Sequence, residues 1–206
     1  MFTGIVQGVG TVAHVERLSG LHRLRIAMPD ACAAPVNTGA SVAINGVCLT
    51  VVAQSDQVLS FDVMQETLSR TGLATLHSGQ RVNVERAARF GDEIGGHLLS
   101  GHVHAQAQIT RVECPENNRT LHLRLAPEWL RYVFPKGFIA INGASLTVGT
   151  VDTDGFTVHL IPETLRATTF AELREGDLVN IEIDSQTQVI VDTLERMGLS
   201  PNRPQP

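Results

Sequence analysis

Hydrophobic and polar residues alternate with a period of two along several short segments of the chain, which is the pattern of half-buried β-strands. The clearest of these segments are Val58–Met64, Arg81–Val84, Phe156–Ile161 and Leu178–Ile183. Asn45-Gly46 and Asn142-Gly143 each lie between two further apolar runs. Asn-Gly favours a two-residue hairpin, because a type I′ turn needs a positive φ at both central residues. The pattern therefore predicts short antiparallel strands joined by tight turns.

The chain contains the same unit twice. Residues 41–50 (SVAINGVCLT) reappear as residues 138–147 (FIAINGASLT), an offset of 138 − 41 = 97 residues. The same offset carries residues 66–68 onto 163–165 and residues 82–85 onto 179–182. One offset along the whole chain indicates a duplication, and the turn signals within each copy favour a closed barrel of about six strands. The predicted fold class is all-β with a C-terminal helix: two duplicated, six-stranded Greek-key β-barrels.

A different pattern follows the second copy. Asp184 and Ser185 are good N-cap residues, and Gly198 is placed to end a helix. Between them, apolar side chains recur with helical spacing at Ile190, Leu194 and Met197. Such a helix needs a partner surface, either on its own barrels or on a neighbouring subunit, and we favour the neighbouring subunit.

Composition narrows the function classes. The net charge of −5 and the aromatic content of 4% argue against binding to nucleic acid or to an anionic membrane, which take basic or aromatic surfaces. No apolar stretch approaches the roughly 20 residues of a membrane span, and the N-terminus lacks the pattern of a secretory signal. Cys32, Cys48 and Cys114 are odd in number and widely spaced, which fits neither a disulfide framework nor a paired-cysteine zinc site. We therefore expect a cytoplasmic protein.

Four segments identify a family resemblance. Met1–Val6, Gly95–His102, Ser145–Thr147 and Ile161–Leu165 resemble signature segments of the riboflavin synthase alpha-chain family, and the resemblance runs through the C-terminal helix. It implies an enzyme that converts two molecules of 6,7-dimethyl-8-ribityllumazine into riboflavin and 5-amino-6-(D-ribitylamino)uracil. The reaction transfers a four-carbon unit, without a metal or redox cofactor.

The resemblance also implies a domain layout and an assembly. Lumazine-binding barrels are expected over residues 1–97 and 98–185, a trimerisation helix over 186–198 and a disordered tail over 199–206. The implied assembly is a homotrimer whose active sites each lie between the N-terminal barrel of one subunit and the C-terminal barrel of another. Each site would hold two lumazine molecules. Whether a lumazine synthase shell encloses the trimer is left open.

Carried over residue by residue, the resemblance implies two substrate pockets. The N-barrel pocket would comprise Cys48, Leu49, Thr50, Asp62, Val63, Met64, Gln65, Glu66 and Thr67, faced by Gly101, His102 and Val103. The C-barrel pocket would comprise Lys136, Ser145, Leu146, Thr147, Ile161, Pro162, Glu163, Thr164, Leu165 and Arg166, faced by Gly4, Ile5 and Val6.

The differences between the two copies support this interpretation independently. The scaffold repeats, but the polar chemistry does not: Ser41 aligns with Phe138, Cys48 with Ser145, Ile5 with His102 and Ala87 with Asp184. Two unequal pockets suit a reaction in which one substrate is the donor and an identical one is the acceptor.

We hypothesise that Ser41, Cys48, His102 and Asp184 converge at the contact between barrels. His102 would be the acid and base, because histidine ionises near neutral pH. Cys48 or Ser41 would assist nucleophilic addition or orient a water molecule, and Asp184 would orient a partner or relay a proton.

Simpler interpretations stand beside these. Cys48 suits a small buried apolar residue, Asp184 suits a helix cap, and Glu66 and Glu163 suit charges at helix N-termini. His97, His102 and His104 lack the further ligands that would complete a metal site, so none is predicted.

Two other function classes compete with the enzyme. Lumazine proteins, which resemble this family, hold a fluorescent ligand without turnover and lose the pocket motif in the second copy, whereas here Ser145–Thr147 and Ile161–Leu165 are intact. A flavin-binding barrel of an oxidoreductase would be joined to a nucleotide-binding domain with a Gly-rich turn, which this sequence lacks.

Overall fold

Each copy of the repeat closes into a six-stranded antiparallel barrel in the computed structural model, which describes residues 1–116 and 118–199. The first barrel contains β1 (Gly8–Leu18), β2 (Leu21–Ala27), β3 (Ser41–Ile44), β4 (Val47–Ser55), β5 (Val58–Met64) and β6 (Arg81–Arg86), and the second contains β7 (Ala105–Glu113), β8 (Arg119–Arg124), β9 (Phe138–Ile141), β10 (Ala144–Val151), β11 (Gly155–Leu160) and β12 (Leu178–Ile183). Around the first barrel the order is β1-β2-β5-β4-β3-β6, and the second repeats it. The predicted fold class is confirmed.

The Asn-Gly turns are the hairpins that the sequence predicts. Asn45 and Gly46 have φ values of 46° and 79°, and Asn142 and Gly143 have 42° and 83°. Both central residues of each turn therefore have a left-handed backbone conformation, as a type I′ hairpin requires. The turns join β3 to β4 and β9 to β10.

Strand registers shift at equivalent places in the two barrels. The β1–β2 pairing is irregular between Val12 and His14, and the β7–β8 pairing between Ile109 and Arg111. These positions differ by the repeat offset. Such bulges bend and twist a strand, which helps a short sheet to close on itself.

The period of two is confirmed in β5, where Leu59, Phe61 and Val63 are buried in the barrel core. It does not describe β12, where Asn180 and Glu182 are buried together with their apolar neighbours. The difference arises because the polar face of β12 is covered by the other half of the molecule. The equivalent Asn83 and Glu85 of β6 are covered in the same way.

Two extended segments, residues 2–5 and 99–102, run between the barrels, and we call them the crossing segments. Phe2 and Leu99 pair as an antiparallel bridge, with N–O distances of 2.8 and 3.0 Å. Their side chains form a small buried cluster with Ala43 and Ala140. The two copies of the repeat are therefore joined by backbone hydrogen bonds as well as by apolar contact.

Four α-helices accompany the barrels in the described residues: α1 (Gln65–Arg70), α2 (Pro127–Leu130), α3 (Pro162–Ala167) and α4 (Ser185–Arg196). α1 and α3 contain Glu66 and Glu163 in their first turns. Over residues 1–116 and 118–199, no helix is long and apolar enough to cross a membrane.

The C-terminal helix α4 packs on its own barrel through one side of its surface. Val191 is buried in the core of the second barrel, and Asp184 caps the helix by accepting hydrogen bonds from the Thr187 N–H and hydroxyl at 2.9 and 2.6 Å. Ile190 and Met197, however, are 59% and 66% exposed. The disordered tail predicted for residues 199–206 lies outside the described residues except for Leu199.

Candidate functional site

The second crossing segment closes a cavity on the first barrel. The cavity has a volume of about 320 Å³ and is lined by Val47, Cys48, Glu66, Thr67, Arg70, Thr71, Gly101, His102 and Val103. Cys48 N–H donates to the Gly101 carbonyl at 2.8 Å. Gly101 has a φ of +80°, and a Cβ there would lie 2.5 Å from the Cys48 Cβ, so only glycine permits this approach. We refer to this cavity and its rim as the N-barrel pocket.

The first crossing segment makes the equivalent contact with the second barrel. Ser145 N–H donates to the Gly4 carbonyl at 2.8 Å. Gly4 has a φ of +74°, and a Cβ there would lie 2.6 Å from the Ser145 Cβ. The surface around Ser145, α3 and Gly4 is the C-barrel pocket.

The remaining predicted substrate-binding residues divide by the direction of their side chains. Those of Leu49, Val63 and Leu146 are buried in the barrel cores. The side chains on the outer surface are those of Ile5, Thr50, Met64, Gln65, Glu66, Lys136, Thr147, Ile161, Pro162, Glu163 and Arg166, and those of Asp62, Thr67, Val103, Thr164 and Leu165 are half-buried. Val6 is buried with the second barrel's core. Neighbouring residues of β4, β5 and β10 therefore alternate between the barrel cores and the outer surface.

Ion pairs hold several of the predicted pocket residues. Arg23 donates two hydrogen bonds to Asp62, at 2.7 and 3.0 Å, and this contact holds the pKa of the Asp62 carboxyl below its usual range. Glu163 pairs with Arg166 within α3 and has a lowered pKa for the same reason. Glu66 pairs with Arg70 in α1. The two glutamates are thus exposed residues of the first helical turns, as the simpler interpretation expects.

The four proposed catalytic residues do not all meet within one chain. Cys48 and His102 line the same cavity. Ser41 begins β3 and lines a different one with Ala87, while Asp184 caps α4. Their convergence would need a second copy of the chain and stays a prediction.

His97 is a site residue that the sequence analysis considered only as a metal ligand. Its Nδ1 lies 2.7 Å from the Ser145 Oγ, and its ring stacks on Phe138 with centroids 5.0 Å apart. It is 7% exposed, and its Nε2 has no hydrogen-bond partner among residues 1–116 and 118–199. Burial lowers the pKa of His97, against the opposing effect of the Asp184 charge. The available signal was its place in Gly95–His102, one of the segments that carry the family resemblance.

The described residues contain no group of three or more His, Cys, Asp and Glu side chains placed to hold a metal ion. His104 is instead packed edge-on against Trp129, and its Nε2 lies 3.2 Å from the Gln188 Oε1.

Known proteins share both the repeat and nearly the full length of this chain. The model of the lumazine binding domain matches residues 3–87 and again residues 100–184. The riboflavin synthase of Escherichia coli is 48% identical over 198 residues, which cover 96% of this chain and 93% of the relative. That of Chlamydia pneumoniae is 46% identical, with 96% of each chain covered. The chain belongs to the riboflavin synthase family. A further member, from Mycobacterium bovis, is 42% identical over 96% of this chain and 98% of its own.

Solved structures of a related protein share the fold. LumP complexed with 6,7-dimethyl-8-(1'-D-ribityl) lumazine superposes with a TM-score of 0.82 at 25% identity, covering 90% of this chain and 100% of LumP. LumP complexed with riboflavin gives 0.84 at 26% identity over the same shares. The riboflavin synthase family therefore shares its two-barrel architecture with a protein that holds a lumazine or a flavin.

Proposed function

We propose that this chain catalyses the dismutation of two molecules of 6,7-dimethyl-8-ribityllumazine into riboflavin and 5-amino-6-(D-ribitylamino)uracil. The observation that carries the proposal is a duplicated pocket with unequal chemistry. Cys48 and His102 stand at one pocket, and Ser145 with His97 stands at the equivalent place of the other. Two similar pockets suit two identical substrates, and their differences suit a donor and an acceptor.

The reaction needs a base for the acidic 7-methyl group of one lumazine, a nucleophile or water for the other, and donors for the developing charge. In the proposal His102 moves the proton, because its ring is exposed at the mouth of the N-barrel pocket. Cys48 or Ser41 assists the addition, and Asp184 orients a partner. Stacking two substrates face to face supplies a large part of the acceleration.

The proposed assembly is a homotrimer in the cytoplasm, with each active site between the N-barrel pocket of one subunit and the C-barrel pocket of another. The exposed apolar side chains of α4, Ile190 and Met197, support a role for this helix in assembly. The three cysteines are free, which suits a reducing compartment.

The competing function is a non-catalytic lumazine- or flavin-binding protein, as LumP illustrates. The C-barrel pocket favours the enzyme, because it retains Ser145 with a buried histidine beside it. A protein that only holds one fluorescent ligand does not need chemistry in a second pocket.

Incubation of the purified protein with 6,7-dimethyl-8-ribityllumazine alone tests the proposal. We expect riboflavin to appear with two lumazine molecules consumed for each riboflavin formed. His102→Ala should lower turnover about a hundredfold, the range for losing a general acid or base. His14→Ala is the matched control, since His14 is exposed on β1. Tight fluorescent binding without riboflavin would refute the proposal in favour of the binding protein.

A further inference from the structure

Glu182 of β12 is a buried carboxylate that holds the second crossing segment. It is 5% exposed. Its Oε1 accepts hydrogen bonds from the Ser100 N–H and hydroxyl at 2.7 and 2.8 Å, and its Oε2 accepts one from the Gly101 N–H at 3.1 Å. The Ser100 hydroxyl oxygen in turn accepts a bond from the His102 N–H at 3.1 Å. One carboxylate thus fixes the backbone of the three residues that end at His102.

Glu85 of β6 holds the first crossing segment in the same way. It is 3% exposed, and it accepts bonds from the Thr3 N–H and hydroxyl at 2.6 and 2.8 Å and from the Gly4 N–H at 3.1 Å. The Thr3 hydroxyl accepts a bond from the Ile5 N–H at 3.3 Å. Residues 85 and 182 differ by the repeat offset, so the device was present in the duplicated unit.

The support that each glutamate gives is crossed between the barrels. Glu182 belongs to the second barrel, but the Gly101 that it holds receives the Cys48 N–H of the first barrel at 2.8 Å. Glu85 belongs to the first barrel, but the Gly4 that it holds receives the Ser145 N–H of the second barrel at 2.8 Å. Each pocket therefore depends on a carboxylate of the opposite barrel.

These contacts close a ring through both pockets. Within the first barrel Ala43 pairs with both Cys48 and Glu85, and within the second Ala140 pairs with both Ser145 and Glu182. From Cys48 the path runs through Ala43 and Glu85 to the first crossing segment and the second barrel. It returns through Ala140, Glu182 and the second crossing segment to Cys48.

Barrel closure alone does not require these carboxylates. Backbone hydrogen bonds to β1 and β3 hold β6 in the first barrel, and those to β7 and β9 hold β12 in the second.

Burial raises the pKa of both glutamates, while the hydrogen bonds from Thr3 and Gly4 to Glu85, and from Ser100 and Gly101 to Glu182, oppose that shift. A buried carboxylate is costly unless its oxygens are fully bonded. Both side chains meet that condition only because the crossing segments supply the donors.

We propose that Glu182 and Glu85 are positioning residues that act across the barrels: Glu182 sets Cys48 and His102 in the N-barrel pocket, and Glu85 sets Ser145 and Ile5 in the C-barrel pocket. Glutamine cannot replace either one, because it has a single acceptor oxygen and turns its amide N–H groups towards backbone donors. The placement of Cys48, His102, Ser145 and Ile5 follows from these hydrogen bonds, and its importance for catalysis rests on the proposed function.

The reactivity of Cys48 towards a disulfide reagent such as 5,5'-dithiobis(2-nitrobenzoic acid) tests the crossed relation. The background is Cys114→Ser, since Cys114 is exposed and Cys32 is buried. Glu182→Gln should change the Cys48 labelling rate about tenfold, the scale for losing a hydrogen bond to a charged group. Glu85→Gln should change it less than about twofold, because its own contact is with the other pocket.

A reciprocal reporter makes the test independent of which variant is less stable. In a Cys48→Ser, Cys114→Ser background, a cysteine placed by Ser145→Cys should respond to Glu85→Gln and not to Glu182→Gln. Ser100→Ala and Thr3→Ala each remove one hydroxyl donor, and they serve as the milder pair if a glutamine variant fails to fold. They should show the same crossed selectivity.

The proposal is overturned if the labelling rate of Cys48 changes in Glu85→Gln and not in Glu182→Gln. It is also overturned if both variants change that rate equally or not at all. Absence of riboflavin formation in the parent protein would refute the proposed activity but leave the labelling result interpretable.

Discussion

Cys48 and Ser145 occupy equivalent positions in the two barrels, yet in the part of the chain that the structure describes only Ser145 is paired with a buried histidine. His97 belongs to the linker that precedes the second copy of the lumazine binding domain, which spans residues 100–184. Side chains just outside the duplicated unit, as well as substitutions within it, therefore make the two pockets unequal. The sequence predicted substitutions such as Cys48 to Ser145, but it could not reveal which side chain of the linker would turn back onto the barrel.

Because His97 is buried, we expect the folded chain to lose stability as the pH falls. Its pKa is lowered in the folded chain, so below the unfolded histidine value of about 6.5 the unfolded chain binds more protons. Stability is therefore lost as the pH falls through that window and is regained above it. Melting temperatures measured between about pH 7.5 and pH 5.5 should fall for the parent protein and fall less for His97→Gln.

The matched control is His14→Gln, an exposed histidine on β1, which should keep the parental slope. The comparison concerns the slope with pH and not the absolute melting temperature, since His97→Gln also loses the stacking on Phe138. Equal slopes for parent and His97→Gln would contradict the prediction.

At the scale of elements, α4 packs on the second barrel through one side and exposes apolar side chains on the other. Val191 anchors it to the second barrel, and Gln188 contacts His104 of the same barrel. Ile190 and Met197, two of the three apolar residues that predicted the helix, face away from the chain's own core. Helical spacing alone could not say which part of the apolar surface meets the barrel, because Ile190 and Val191 lie about 100° apart on the helix.

Charging the exposed side of α4 should disrupt the proposed trimer. Ile190→Glu places a carboxylate where an apolar contact between subunits is expected, and it should weaken association at least about tenfold. Sedimentation velocity would show a shift from trimer towards monomer, with a parallel loss of turnover because each proposed site needs two subunits. Ser185→Glu, at the exposed first turn of the same helix, should leave the trimer intact. A fully trimeric Ile190→Glu protein would exclude α4 from the interface.

For the whole molecule, asparagines join the barrels where the hairpin turns meet. Asn83 Nδ2 donates to the Asn142 carbonyl at 3.0 Å, and its Oδ1 accepts from the Thr169 N–H at 2.8 Å. Asn180 Nδ2 donates to the Asn45 carbonyl at 2.9 Å. These side chains use both a donor and an acceptor, which is why an amide suits the interface between two similar barrels.

Replacing one of these amides should loosen the joint. Asn83→Asp puts a carboxylate oxygen against the Asn142 carbonyl in a site that is 1% exposed, and it should lower the free energy of unfolding by about 3 kcal/mol. Urea denaturation would measure the loss. Asn37→Asp, at an exposed loop position, should change stability by less than about 0.5 kcal/mol. A similar small change for Asn83→Asp would show that the interface tolerates the charge.

The sequence by itself determined the repeat, the strand pattern, the Asn-Gly hairpins and the family, because these depend on residues that are close in the chain or repeated at one offset. Only the tertiary structure decided that the polar faces of β6 and β12 are buried. It alone brought His97 to Ser145 and connected each pocket to a glutamate of the opposite barrel. The alternation of hydrophobic and polar residues indicates which side chains can be buried in a barrel core. The partner of a buried polar group depends instead on how the two folded barrels pack against each other. In the sequence, Glu85 and Glu182 have the pattern of outward-facing strand residues. In the structure the crossing segments cover them, because the N–H groups of these segments need acceptors.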